Sequence, residues 1–339
     1  NVKIKVKQGQ LNVVSSDGEN YISRKMAEGV DTEGEITFCF EPFGVLSYIK
    51  SLDKNMIELD VKDGQVEIVH ESGSFKIPMV DSNDFPQRKS ETDTIDMNVS
   101  ATMLRCWFLD GKDFATNNDQ LRPILNGLHL YKEKDEMGCC ASDGYSLFTD
   151  NLQYESVTED FSVTVDSRCF KPITDAFASA NDISMKIGKS SVIMKNADTT
   201  MMCALQEGRY PNFKSVIGSA TGSVKVYVSK KDMVRTLNRC SLGANMLNYV
   251  ELTVKNGNME LLSSDNDFNK GVSEMLQAET EIEGEFKIAF KINILMKILG
   301  KINSDKIYMC MNKPNTPCFI REWPDPTNTL YMLMPFNIG

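Results

Sequence analysis

One short phrase recurs three times along this chain and restricts what it can fold into. Ser15-Ser16-Asp17-Gly18, Ala141-Ser142-Asp143-Gly144 and Ser263-Ser264-Asp265-Asn266 each end a strand-like run, and their aspartates lie 126 and 122 residues apart. Self-similarity at a long, near-constant period marks one structural unit used repeatedly. A second element closes the first two blocks, in Asp84-Phe85-Pro86 and Arg209-Tyr210-Pro211. In both, a proline that cannot serve a central ladder marks the exit from a sheet. The 339 residues therefore divide into blocks 1–94, 95–218 and 219–339, with boundaries near the acidic stretch Ser90 to Met97 and the small-residue stretch Gly218 to Ser223.

Inside the blocks, short alternating strands dominate. Hairpins are expected around Gln8-Gly9-Gln10, Lys62-Asp63-Gly64-Gln65 and Lys255-Asn256-Gly257-Asn258, because Asp-Gly and Asn-Gly accept the positive φ of a two-residue turn. Helical patterns are few: 41–52, with Phe43, Leu46, Ile49 and Leu52 along one stripe, then 100–109, 167–180, 229–242 and 291–301. Asp166 or Ser167, and Ser229, suit the N-cap, and Pro172 is tolerable only near a helix start. Strand runs broken by one or two helices per block predict α+β domains.

Reactive side chains are sparse. His70 and His129 are the sole histidines, each in a strand-like run, which leaves little for Ser-His, Cys-His or His-metal chemistry. The nine cysteines form no Cys-x-x-Cys pair, so they read as small buried hydrophobes and not as a disulfide framework or zinc ribbon. Gly188-Lys189-Ser190 resembles the end of a phosphate-binding loop, but Ile183 stands where the motif needs glycine, and strand-like runs flank it. Asp81 with Asp84, and Asp265 with Asp267, are spaced for a cation, yet turn and cap roles suit them better. Asn98-Val99-Ser100 is a glycosylation sequon in spelling only. No cofactor and no metal are expected. Asn1 to Gln8 alternates polar and apolar residues without the apolar segment of a signal peptide, and no run is long enough to cross a bilayer. The expected location is cytoplasmic.

Net charge is −10, which alone argues against nucleic acid, since phosphate affinity comes from basic residues. The basic residues are segregated, however. Residues 229–241 hold Lys230, Lys231, Arg235 and Arg239 against the single acid Asp232, with Lys231, Arg235 and Arg239 on one helical face. Residues 291–301 hold Lys291, Lys297 and Lys301 and no acid. A solvated basic face explains either helix alone. Two in one block point to a phosphate-facing surface, and the lack of interleaved aromatics favours duplex over single-strand contact.

Four ordered motifs give the chain a resemblance to the bacterial DNA polymerase III beta sliding clamp family. These are Leu125-Asn126-Gly127, Ala141-Ser142-Asp143-Gly144-Tyr145-Ser146-Leu147, Glu207-Gly208-Arg209-Tyr210-Pro211-Asn212-Phe213, and the terminal run Tyr331-Met332-Leu333-Met334-Pro335-Phe336-Asn337-Ile338. The resemblance spans the whole chain. It implies three tandem DNA-clamp domains, closed by a second copy into a homodimeric ring with helices lining the hole and antiparallel sheets outside. The implied activity is non-enzymatic: processivity for a replicative DNA polymerase through topological, sequence-independent enclosure of double-stranded DNA. Arg105, Arg122, Arg168 and Lys171 become further candidate DNA contacts.

The same resemblance implies a pocket between the second and third domains that takes short hydrophobic peptides of DNA polymerase, clamp loader and repair proteins. By motif it comprises Leu125, Ser142, Gly144, Tyr145, Ser146, Leu147, Pro211, Val216, Leu247, Met334, Pro335 and Phe336. Phe75 and Ile77 in the first block and Leu242 in the third match dimer-interface positions, although ordinary core packing also suits several of these residue types. Three departures stand out: Ser146 and Ser215 replace basic pocket residues, and Ile294 replaces a tyrosine. The chain also begins at a strand where the family has a helix. The competing readings are a repeat-built structural protein, such as a virion component, and a hydrolase using acidic residues, for which no constellation is visible.

Overall fold

The computed structural model describes residues 1–27, 29–32, 34–53, 56–88, 91–218, 222–255, 257–282, 284–324 and 327–337. Ser90, residues 219–221 of the second boundary, Asn256 of the third hairpin and Ile338 of the terminal motif lie outside the described residues.

The first block runs β1 (Val2–Lys7), β2 (Gln10–Ser16), β3 (Tyr21–Met26), β4 (Ile36–Phe40), α1 (Val45–Ser51), β5 (Glu58–Lys62), β6 (Gln65–His70) and β7 (Gly73–Val80). The second runs β8 (Ile95–Ser100), α2 (Ala101–Gly111), β9 (Gly127–Glu133), β10 (Glu136–Ser142), β11 (Ser146–Gln153), β12 (Phe161–Asp166), α3 (Phe170–Ala176), β13 (Asp182–Ile187), β14 (Ser191–Lys195), β15 (Thr199–Ala204) and α4 (Phe213–Ile217). The third runs β16 (Val224–Ser229), α5 (Lys230–Gly243), β17 (Tyr249–Lys255), β18 (Asn258–Asp265), β19 (Lys270–Gln277), β20 (Glu279–Glu281), β21 (Phe286–Lys291), α6 (Ile292–Leu299), β22 (Lys306–Met311), β23 (Cys318–Trp323) and β24 (Leu330–Leu333).

A finer repeat than the 120-residue block emerges: one strand, a helix, then three strands. It begins at β4, β8, β12, β16 and β21. The two copies within a block interlock, the first strand of each pairing with the second strand of the other: β8 with β13 and β12 with β9, then β16 with β22 and β21 with β17.

The repeated Ser-Asp-Gly has a local cause. In the first copy Gly18 N donates to Ser16 Oγ at 3.1 Å, and Glu19 N and Asn20 N donate to Asp17 Oδ1 at 3.0 and 2.6 Å. In the second, Gly144 N donates to Ser142 Oγ at 3.0 Å, and Tyr145 N and Ser146 N donate to Asp143 Oδ1 at 2.8 and 2.6 Å. Short side chains thus satisfy the backbone donors that a tight strand reversal leaves open. In the third copy Asp265 still accepts from Asp267 N and Phe268 N, but the turn is longer and closes at the Asp265–Lys270 pair. The expected two-residue hairpins also form, with Gln8-Gly9 and Asp63-Gly64 at positive φ.

The chain divides into two compact units: Asn1–Arg105 with Lys171–Leu205, and Cys106–Phe170 with Gln206–Gly339. The first holds an eleven-stranded sheet ordered β5-β6-β7-β4-β1-β2-β3-β15-β14-β13-β8. The second holds a nine-stranded sheet, β12-β9-β10-β11-β24-β23-β22-β16-β20, and a four-stranded sheet, β19-β18-β17-β21. The middle block contributes strands to both units.

Helix boundaries are shorter than the pattern at 41–52 and 167–180. Gly44, at φ 76, delays α1, and a 3₁₀ turn at Ser167–Cys169, capped by Asp166, precedes α3. Ser229 caps α5 by accepting from Asp232 N. On α1 the expected apolar stripe faces outward: Phe43 is 93% exposed, Leu46 and Ile49 are exposed, and Val45 is the buried residue.

Candidate functional site

The junction of the second and third blocks is built on a four-residue antiparallel ladder, Ser146–Thr149 of β11 against Leu333–Leu330 of β24. Behind it lies an apolar cluster drawn from both blocks: Leu125, Tyr131, Cys140, Leu147, Tyr210, Phe213, Cys310, Phe319, Leu330 and Met332. Ile124, Val216, Ile217, Tyr308 and Met334 pack on it while remaining part-exposed. Of the predicted pocket, Leu125, Leu147, Val216 and Met334 meet here. Ser142, Gly144, Tyr145 and Ser146 form the adjoining turn, which Met334 N joins by donating to Tyr145 O at 2.8 Å. Tyr145 is exposed and Pro335 is half-buried. Gly144 sits at φ +88, the left-handed region that favours glycine, beside the Arg122 guanidinium.

Three predicted members stand apart from the cluster. Leu247 is exposed, Pro211 is exposed ahead of α4, and Phe336 stacks on Tyr249 at 5.0 Å with its N donating to Ala289 O. Conversely, the sequence reading missed the aromatic base. His129 stacks on Tyr210 at 4.5 Å, Tyr131 meets Phe213 at 5.6 Å, and Phe213 turns its edge to Tyr210. Burial pushes the His129 imidazole down to about 4, and burial pushes the Tyr131 and Tyr210 hydroxyls up. These groups are therefore neutral packing elements. A cavity of about 80 Å³, lined by Gly222, Cys310, Met311, Asn312, Thr316, Pro317 and Phe319, shares Cys310 and Phe319 with the cluster.

Several basic residues of the two helices have partners within the protein. On α5, Met233, Thr236, Leu237 and Cys240 are buried, which turns Lys231, Arg235 and Arg239 to the surface as the i, i+4, i+8 spacing requires. Arg239, however, grips Glu274 of β19 through two hydrogen bonds at 2.6 and 2.9 Å, and Lys230 Nζ donates to Ile302 O at 2.6 Å. Arg235 lies 4.0 Å from Asp232. On α6, Lys297 donates to Asp113 O at 2.6 Å and sits over the Phe114 ring at 4.7 Å. Lys301 is drawn to Leu109 O, Asp110 and Asp113 at the end of α2, with its side chain only 20% exposed. Leu109 O belongs to the last turn of α2, whose carbonyls attract cations, and Asp113 lies just past its end. The α6 lysines thus brace two blocks together. Among the described residues, Lys231 and Lys291 are exposed and make no ion pair.

Other expected DNA contacts have protein partners. Arg105 is half-buried and donates to Ala178 O at 3.0 Å; Arg168 pairs with Asp166 at 3.0 Å, and Lys171 with Asp175. Arg122 pairs with Asp119 at 3.1 Å and donates to Asp143 O at 3.3 Å, which places it at the rim of the apolar junction. Of the expected dimer residues, Leu242 is 74% exposed, Phe75 is half-buried against Tyr48 at 4.7 Å, and Ile77 is buried in the first-block core.

The Gly-Lys-Ser motif has its anion within the protein. Glu91 Oε1 accepts from Ser190 Oγ at 2.6 Å and Ser191 Oγ at 2.7 Å. Burial opposes the Glu91 charge, but these hydroxyls and the amides of Ser190 and Lys189 outweigh it and lower the carboxyl below its ordinary range. Asp81 caps a 3₁₀ turn by accepting from Asn83 N, as the turn reading of the acidic pairs expects. Eight of the nine cysteines are buried, with Cys106 exposed. No group of three or more metal-ligating side chains occurs among the described residues, and no helix among them is long and apolar enough to cross a membrane.

Fold and site together define a repeat-built α+β binding protein whose candidate site is an apolar junction between repeats. Family models of the DNA polymerase III beta subunit match the chain in order: the N-terminal domain over residues 1–89, the central domain over 108–212 and the C-terminal domain over 220–337. The chain belongs to the DNA polymerase III beta subunit family and comprises three clamp domains. Among curated relatives, the beta sliding clamp of Rickettsia bellii is 21% identical, covering 100% of this chain and 92% of the relative. That of Synechococcus elongatus is 26% identical, covering 97% and 88%. Among solved structures, the DNA polymerase III beta subunit of Thermotoga maritima superposes with a TM-score of 0.91 at 22% identity, covering 100% of this chain and 91% of that one. A sliding clamp of Pseudomonas aeruginosa gives 0.89 at 19%, covering 100% and 92%.

Proposed function

We propose that this chain is a sliding clamp, which confers processivity on a replicative DNA polymerase by enclosing duplex DNA in the cytoplasm and performs no chemistry of its own. The observation that carries the reading is the ordered match of all three domain models along one chain. The alternative of a structural repeat protein is not favoured, because the curated relatives are named as clamps.

The second copy needed to close a ring would meet exposed apolar surface. Phe43 and Leu46 are exposed beside Gly44, whose Cβ position lies 3.8 Å from Phe75, and Leu242 and Met246 are exposed where α5 ends. Exposed large apolar side chains such as these are what an interface would cover. Lys231 and Arg235 on α5, with Lys291 before α6, supply the DNA-facing charge. A tethered ring needs little backbone affinity, which fits a chain of net charge −10. The part-exposed Ile124, Val216, Ile217 and Met334 offer an adaptable apolar wall to a short hydrophobic peptide of a polymerase, clamp loader or repair protein.

Retention on nicked circular duplex DNA after loading by an ATP-driven clamp loader tests the reading. The protein should stay with the circle through gel filtration at high salt and leave when the DNA is cut once. Retention that survives linearisation overturns enclosure. A solution mass of one chain overturns the dimer.

A further inference from the structure

We infer that Lys214 is a positioning residue for the apolar junction, holding α4 in the place from which Val216 and Ile217 face a docked peptide. The inference rests on the peptide-docking reading above. α4 has five residues, too few for a helix to persist by itself. Two sets of contacts fix it. Beneath, Phe213 wedges into the His129, Tyr131 and Tyr210 rings. Outside, Lys214 Nζ reaches Glu133 at 2.8 Å and Glu136 at 3.3 Å, on either side of the β9–β10 turn, and lies 4.2 Å from the Tyr131 ring centre. Tyr131 in turn donates its hydroxyl to Glu136 at 3.1 Å. One cation therefore ties the helix to both strands of a hairpin and to the aromatic base.

Position along the helix gives this tie its consequence. Lys214 follows the buried Phe213, and Val216 and Ile217 come two and three residues later, packed on the apolar cluster but part-exposed. Asn212 caps the helix by accepting from Ser215 N, and Ser215 Oγ donates to Asn212 O at 2.7 Å. Lys214 is itself part-exposed and touches no member of the docking wall with its charge. It acts by holding the helix in place.

The test measures affinity for a capped, uncharged pentapeptide containing leucine and phenylalanine, by fluorescence polarisation, alongside hydrogen exchange over residues 212–218. Lys214→Ala should weaken binding about three- to tenfold and speed exchange in α4, as loss of a part-exposed multi-contact ion pair allows. Lys214→Arg should restore both. Glu133→Gln with Glu136→Gln should reproduce the alanine variant. Wild-type affinity should fall with added salt although the peptide carries no charge, and Lys214→Ala should lose that dependence. Unchanged affinity and unchanged salt dependence in Lys214→Ala overturn the inference and leave peptide docking intact. Failure of the wild-type protein to bind, with Met334→Ala no different, removes the docking reading and this inference with it.

Discussion

The protein joins its blocks by the same device in two places, and the two joints are unequal. In one unit, Tyr21–Arg24 of β3 pairs with Met202–Thr199 of β15. In the other, Ser146–Thr149 of β11 pairs with Leu333–Leu330 of β24. Each ladder has four residue pairs, so the hydrogen bonding is alike. The surroundings differ. On β3, Tyr21 to Ser23 are half-buried and Arg24 is exposed, beside a 3.5 Å pair with Asp198, whereas Thr199, Met201 and Met202 of β15 are buried and Thr200 is half-buried. Ser146 to Thr149 and Leu330 to Leu333 are all buried, backed by the apolar cluster and braced by Lys297 and Lys301. Backbone pairing sets where two repeats meet, while the apolar area behind the ladder sets how firmly they hold and whether the seam can serve as a site.

Matched truncations would break this comparison most directly. Leu147→Ala, at a side chain 3% exposed, should cost about 2–5 kcal/mol in denaturant unfolding of its unit. Ile22→Ala, on the half-buried ladder, should cost about 1 kcal/mol. Equal losses would mean the two joints are energetically the same.

Acid offers a second contrast. Burial lowers His129 to about 4 from 6.5, so the folded protein prefers the neutral ring and the unfolded chain binds the proton first. The resulting stability is present above pH 6.5 and is lost as pH falls towards 4, by about 3 kcal/mol in total. His129→Gln should flatten that slope in unfolding titrations, and an unaltered slope would assign the acid sensitivity elsewhere.

The smallest effect sharpens the other side. Arg24→Ala should shift stability by no more than about 0.5 kcal/mol, and less at high salt, because the pair with Asp198 is exposed. A larger loss would show that the open joint depends on its charges.

What was legible in the sequence was local. The Ser-Asp-Gly turns, the Gln-Gly and Asp-Gly hairpins, and the caps at Ser229 and Asp166 all depend on residues within a few positions of one another. The apolar junction was legible in part, since Leu125, Leu147 and Met334 sit in motifs. Its aromatic base was hidden, because His129 and Tyr131 on β9 meet Tyr210 and Phe213 only across some eighty residues of chain. α4 was missed because five residues show no helical period.

The sequence by itself determined the repeat, the α+β class and the concentration of basic residues on two helices, because turn chemistry, alternation and charge are written residue by residue. Tertiary structure decided what those residues do. It turned the α1 stripe outward, spent Lys297 and Lys301 on the end of α2, seated Glu91 on the Gly-Lys-Ser turn, and split the middle block between two sheets. A side chain's partner is fixed by which distant element packs beside it. That choice belongs to the arrangement of sheets and helices, which no short window of sequence contains.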